Sequence, residues 1–224
     1  AATDADGSAT QTYSILTAEQ NAASVDHDLF SVAGGGVLTF QASPNYEDAG
    51  CGAGDNSNTC AVVIQVTDGA NTDTITVTVT VQDLNDETPA FTSSGTPSIN
   101  ENVRNVLTLA ASDTDAGDSA TFAITGGADS ELFEIDGGTT LRFAAAAGAN
   151  YESPGDAGTN NEYVVVVTAT DTGANAVAQT ITITIQDVNE FSPEFGDGDT
   201  ATATPNENQQ AVGTYAATDA DGSA

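Results

Sequence analysis

The chain has 224 residues, with 33 acidic residues against two basic ones, Arg104 and Arg142, and a formal charge of −31. That balance excludes nucleic acid or an anionic bilayer as a natural partner and points to cations instead. No apolar stretch approaches the ~20 residues of a bilayer span, and no basic start followed by an apolar core reads as a signal peptide, so any export signal or anchor is expected outside this stretch.

Long runs of Val, Ile and Thr separated by Gly, Asp and Asn describe strands and turns rather than helices, and they carry enough apolar surface for several small cores. A seven-strand sandwich takes roughly 100 residues, so the length suits two such domains and a remainder.

In chain order, the first feature is the nonapeptide Ala-Ala-Thr-Asp-Ala-Asp-Gly-Ser-Ala at 1–9, with the paired Asp4 and Asp6. His27, the only histidine, lies in Val25-Asp26-His27-Asp28 and reads as an exposed loop residue rather than a member of a catalytic triad. Asn45-Tyr46-Glu47 follows, and then Cys51 and Cys60 flank a Gly/Asn/Asp loop. In an extracellular setting those two cysteines would close a short disulfide; the alternative is two free thiols, and two cysteines are too few for a structural zinc site. Cys60 to Thr67 reads as a strand that turns at Asp68-Gly69-Ala70-Asn71 into Thr74–Val81. There Thr alternates with β-branched apolar residues, which predicts one face in a core and one in water. The segment Asp83-Leu84-Asn85-Asp86-Glu87-Thr88-Pro89 ends the copy, its proline stiffening the entry into the next domain.

The same features then recur one domain length later. Asp28–Phe40 lines up without gaps with Glu131–Phe143 at an offset of 103, Asn45-Tyr46-Glu47 with Asn150-Tyr151-Glu152 at 105, and Asp83–Phe91 with Asp187–Phe195 at 104. Tyr163–Thr170, the turn Asp171–Asn175 and the Thr/Ile alternation of 180–185 repeat the closing hairpin. A third copy begins: Glu101-Asn102 returns as Glu207-Asn208, and Asp113/Asp115 as Asp219/Asp221. Residues 216–224 are identical to 1–9, which points to a higher-order two-domain repeat of 215 residues. Asp-x-Asp, Asp-x-Asn-Asp and isolated Glu-Asn at fixed places supply the carboxylates, amides and carbonyls that Ca²⁺ takes as six to eight oxygen ligands.

With these motifs in order and twice over, the chain resembles tandem cadherin-type repeats of the divergent kind found in bacterial surface proteins. The resemblance implies an all-β fold of tandem Greek-key β-sandwich domains, cadherin-like and Ig-like, in an elongated array. The expected domains are 1–88 lacking its first strand, a complete 89–192, and 193–224 as the N-terminal part of a third. It further implies up to three Ca²⁺ per domain junction. The first junction would draw on Asn45, Glu47, Asp83, Asn85 and Asp86 together with Asp113, Asp115 and Asp171. The second would use Glu101, Asn150, Glu152, Asp187, Asn189 and Glu190 with Asp219 and Asp221, while Asp4, Asp6 and Asp68 would serve a junction upstream. Asn at 45 and 150 stands where the family carries Asp, removing a charge from each junction, and Glu190 replaces an Asp.

The implied role is a calcium-rigidified structural or adhesive stalk of an extracellular protein, a surface adhesin or filament, with neighbouring repeats as partners. The alternative is a module binding glycans or other cells through its loops, with Tyr13, Tyr46, Tyr151, Tyr163 and Tyr215 as candidate contacts, although Tyr46 and Tyr151 recur and are expected to pack. An enzyme is not expected: a glycosidase pair needs one carboxyl in an apolar pocket, and these acids sit among Asp, Asn and Gly. The chain has no Trp, so the Trp-dependent strand exchange of vertebrate adhesive cadherins is not supported.

Overall fold

The computed structural model describes residues 10–48, 50–51, 57–196 and 198–221. They divide into two compact units, 1–86 and 87–224. Among the described residues secondary structure is almost entirely β, with two one-turn 3-10 helices, His27–Leu29 and Ser130–Leu132.

The first unit contains β1 (Thr12–Ile15), β2 (Phe30–Ala33), β3 (Val37–Phe40), β4 (Thr59–Thr67) and β5 (Thr72–Thr80). One sheet has the order β1-β4-β5, all antiparallel, and faces the β2-β3 hairpin. The predicted turn at 68–71 joins β4 to β5, and Gly69 supplies its left-handed position at φ 98°. The core is small: Phe30, Cys51, Cys60 and Val62, with Ile15, Leu29, Leu38, Phe40, Val77, Val79 and Val81 packed around it half-buried. Cys51 and Cys60 are joined as a disulfide at a Cα separation of 4.7 Å.

The second unit opens with β6 (Ala90–Phe91), β7 (Ser98–Asn100), β8 (Asn105–Thr108) and β9 (Ala111–Ser112). It continues through β10 (Thr121–Gly126), β11 (Phe133–Asp136), β12 (Thr140–Phe143), β13 (Glu162–Thr170) and β14 (Ala176–Gln186). Two sheets, β10-β13-β14-β7 and β11-β12-β8, form the sandwich; β7 runs parallel to β14, the other pairs antiparallel. Its core is far larger, with Leu109, Leu141, Tyr163, Val165, Val167, Ile181 and Ile183 almost wholly enclosed. Alternation explains this directly: Ile181, Ile183 and Ile185 point inward from β14, as the Thr/Ile pattern predicts. Near the end, β15 (Glu194–Phe195) pairs with β16 (Ala217–Thr218) in the same register in which β6 pairs with β9.

Equivalent positions align across the units. The hairpin register Phe30↔Phe40 repeats as Phe133↔Phe143, and the ring centroids lie 4.5 Å and 4.6 Å apart. Buried Asp26 and Asp129 each accept a 2.7 Å backbone N–H from the facing strand, of Ala61 and Val164 respectively. Charge-assisted bonds of this kind lock the 3-10 turn onto the sheet.

Four expectations need correction. Ile75, placed on the core-facing side of β5, is 61% exposed, because no described strand covers that end of the sheet. His27 is not an open loop residue: it sits half-buried in a 3-10 turn, its Nδ1 3.0 Å from the Ser24 carbonyl. Tyr163 is no contact residue, since it is buried edge-on against Phe133 and Phe143 with its hydroxyl accepting the Gly155 N–H. Tyr151, expected to pack, keeps 37% of its surface exposed.

Candidate metal centres

The strongest cluster lies at one end of the second unit, where Glu101 follows β7, Glu152 follows the 3-10/hairpin layer and Asp187 follows β14. One carboxylate oxygen of each lies within 4.8 Å of the other two. Glu101 is buried and fixed: one oxygen accepts the Tyr151 N–H (2.8 Å), the other the Val188 N–H (2.9 Å). Asp221 is also buried; its Oδ2 accepts the N–H groups of Glu190 (3.0 Å) and Phe191 (2.8 Å), while its Oδ1 has no hydrogen-bond partner. Asp219 holds this turn by accepting the Asp221 N–H at 3.0 Å.

Glu152 carries the most information. Both of its carboxylate oxygens are enclosed and neither has a donor. Desolvation, followed by the like charges of Glu101, Asp187 and Asp221, raises its pKa above the ordinary Glu value. The protein supplies no cation to relieve it, because Arg104 pairs with Glu134 and Arg142 pairs with Glu134 and Asp136 on the β11-β12 face. The enclosed, partnerless carboxylate of Glu152, with oxygens of buried Glu101 and exposed Asp187 beside it, offers the all-oxygen donor set that suits a hard divalent cation.

A second cluster in the same unit gathers Asp113, Asp115, Asp118 and Asp171. Asp115 is buried and accepts the Glu87 N–H (3.1 Å), and Asp113 accepts the Asp115 N–H (3.0 Å). This is the arrangement found again at Asp219/Asp221, so the exit segment and the Asp-x-Asp turn build one recurring joint. Asp113 leaves Oδ2 enclosed without a donor. Asp171 is buried and held by the N–H (2.7 Å) and Nδ2 (2.8 Å) of Asn175. Asp118 was missed in the sequence; it accepts the Thr172 hydroxyl at 2.7 Å, and its signal was a third Asp in Asp113-Thr114-Asp115-Ala116-Gly117-Asp118.

Other predicted residues take local roles. Asn150 spends its Oδ1 on the Ser153 N–H (2.7 Å), and Asn102 Nδ2 donates to Glu190 Oε2 at 2.6 Å. Asn189 and Glu190 are exposed. In the first unit, Glu47 reaches within 4.8 Å of Asp83 and of Asp86, with Oε1 enclosed and donorless. There Asn45 Oδ1 accepts the Glu47 N–H (2.9 Å), and Asn85 is half-buried. Asp68 closes its own turn, and the N–H groups of Asn71 and then Ala70 hold its pKa below the usual range. Asp4 and Asp6 lie outside the described residues.

This sandwich with carboxylate-rich ends is the architecture of cadherin extracellular repeats, and the chain has that fold. Human protocadherin-24 EC1-2 is similar at a TM-score of 0.62 and 21% identity, over 83% of this chain and 85% of that one. Human CDH23 EC21-23 matches at 0.63 and 21%, over 98% and 76%, and Drosophila N-cadherin EC1-4 at 0.60 and 18%, over 95% and 51%. No family model matches the sequence. No curated protein matches it either.

Proposed function

We propose that the chain is a segment of a calcium-rigidified stalk in a large extracellular repeat protein, a bacterial surface adhesin or filament, and that it performs no catalysis. The observation that carries this reading is Glu152: a carboxylate with both oxygens enclosed, no donor, and three like charges around it. Glu101, Asp187 and Asp221 would hold Ca²⁺ with it, and Asp113, Asp115, Asp118 and Asp171 would form a second centre. Bound ions would supply the positive charge that the chain lacks at these places. Backbone N–H groups already hold Glu101 and Asp221 in place, and one oxygen each of Glu101, Glu152 and Asp187 converges, so binding needs little reorganisation there.

The recurring joint also supports a complete domain at 89–192 and the start of another at 193–224, since β15-β16 and Asp219/Asp221 repeat β6-β9 and Asp113/Asp115. An extracellular site is consistent with the disulfide and with the weak binding such modules show, Kd roughly 10⁻⁴ to 10⁻³ M. No helix is long and apolar enough to cross a membrane among the described residues.

Calorimetric titration with Ca²⁺ tests this. Saturable binding is expected, with stabilisation against heat of about 2.7 kcal/mol per site at a hundredfold excess over Kd. Glu152→Gln should weaken one class of sites about tenfold. Absence of binding heat and an unchanged melting curve at ~10 mM Ca²⁺, well above that Kd range, would refute it.

A further inference from the structure

Charge is spread unevenly over the second unit. Both arginines, with Glu134 and Asp136, lie on or beside the β11-β12-β8 sheet, and the acid clusters lie at strand ends. The opposite sheet, β10-β13-β14-β7, is different: in a chain with 33 acidic residues, Glu162 at the start of β13 is the only charged residue in its four strands. The residues that alternate with buried Val165, Val167, Ile181 and Ile183 face outward, and at the centre of the sheet they are Val164, Val166, Thr180 and Thr182. Val164 lies opposite Thr182 and Val166 opposite Thr180, so two valines are flanked by threonine hydroxyls. On the β10 side the Thr125 and Thr168 hydroxyls stand 2.8 Å apart.

The first unit repeats this outer face. On β5 the residues alternating with Val77 and Val79 are Thr76, Thr78 and Thr80, again without a charge, and Thr76 lies opposite Val63 as Thr180 lies opposite Val166.

We propose that these uncharged outer faces are the surface on which two copies of this chain associate side by side. Copies with a charge of −31 repel wherever carboxylates meet, and this face brings none to the contact. A charged partner would find no counter-charge on it. A threonine hydroxyl both donates and accepts, so a threonine face is its own hydrogen-bonding complement, which suits a two-fold contact that sets one patch against itself. Threonine methyls and the two valines supply the apolar part. Four strands about 4.8 Å apart and a nine-residue β13 give a face of about 570 Å² per copy. Pairing buries about 1,100 Å² in all, enough for a reversible dimer and less than the roughly 1,600 Å² of a standard interface. This inference makes no use of the calcium reading, so the two fail separately.

Sedimentation equilibrium of the 224-residue chain in chelator tests it, between about 0.1 M and about 1 M NaCl, where the Debye length falls from about 10 Å to about 3 Å. The average mass should rise with concentration up to about 1 mM protein, the range of a weak complex. It should rise more steeply in high salt, because screening removes the repulsion and leaves the uncharged contact intact; a contact made by ion pairs would weaken instead. Thr76→Asp combined with Thr180→Asp puts a carboxylate at the centre of each face and should weaken association about tenfold or more. Thr39→Asp combined with Thr108→Asp adds the same charge on the other sheets and should leave association unchanged. All four positions are exposed, and melting curves report whether each variant is folded. Thr74→Asp combined with Ala178→Asp, at two further exposed positions, repeats the test on the same faces. A wild type that stays monomeric at the highest concentration and salt overturns the proposal. So does association that weakens with salt, that persists in both face variants, or that the Thr39/Thr108 variant abolishes equally.

Discussion

Cys60 and Tyr163 occupy the same place on the same strand in the two units, and what each does there separates the two domains. In the second unit the Tyr163 ring packs edge-on against Phe133 and Phe143, 6.2 Å and 5.2 Å away, and its hydroxyl ties down the loop at Gly155. Burial pushes that phenol's pKa up. In the first unit the small Cys60 leaves no such filler, and its bond to Cys51 secures the same region beneath Phe30 and Phe40. A domain with a large core is held by packing; one with an open face and a small core leans on a covalent tie.

Removing each device should show the difference. Tyr163→Ala is expected to cost about 4 kcal/mol, the range for deleting a buried aromatic, seen as early loss of amide protection in the second unit only. Leu141→Ala, at a fully enclosed position, should cost about 3 kcal/mol, whereas Leu38→Ala at the matching site beside an open apolar hollow should cost about 1 kcal/mol. Equal costs in denaturant titrations would mean that the first unit is as closed as the second. Replacing both Cys51 and Cys60 by Ser opens a loop with a sequence separation of 9 and should cost about 2.5 kcal/mol, confined to the first unit.

The smallest effect concerns pH. Glu152 has a folded pKa above its unfolded value, so the folded state binds more protons in the interval just above the ordinary Glu range. Ion-free stability should therefore fall as pH rises through that interval and recover on acidification. Glu152→Gln should flatten this slope in chelator while weakening calcium stabilisation, and melting curves across pH 4 to 7 would read both at once. A slope that persists in the variant would assign it to another group.

Much of the fold was legible because its signals are local. Alternating Thr and Ile on β14, the Gly and Asn turns, and the offsets that align Asp28–Phe40 with Glu131–Phe143 depend on neighbours a few residues away. The acids near Glu101 could be nominated by motif and spacing, but Asp118 was missed, because its place beside Asp171 is set by a loop meeting a hairpin more than fifty residues later. Asp129 was passed over for a similar reason. Its carboxylate is buried by accepting the N–H groups of Ala157 and Val164, both distant in sequence.

By itself, then, the amino-acid sequence determined the repeat length, the strand and turn alternation and the pool of oxygen donors, since each follows from short-range periodicity or composition. Only the tertiary structure decided that Ile75 faces solvent while Ile181 does not, that Tyr163 is core rather than contact, and that Glu152 points inward with nothing to meet it. Those outcomes depend on which distant segment covers a given face, and burial is a property of the covering strand as much as of the residue beneath it.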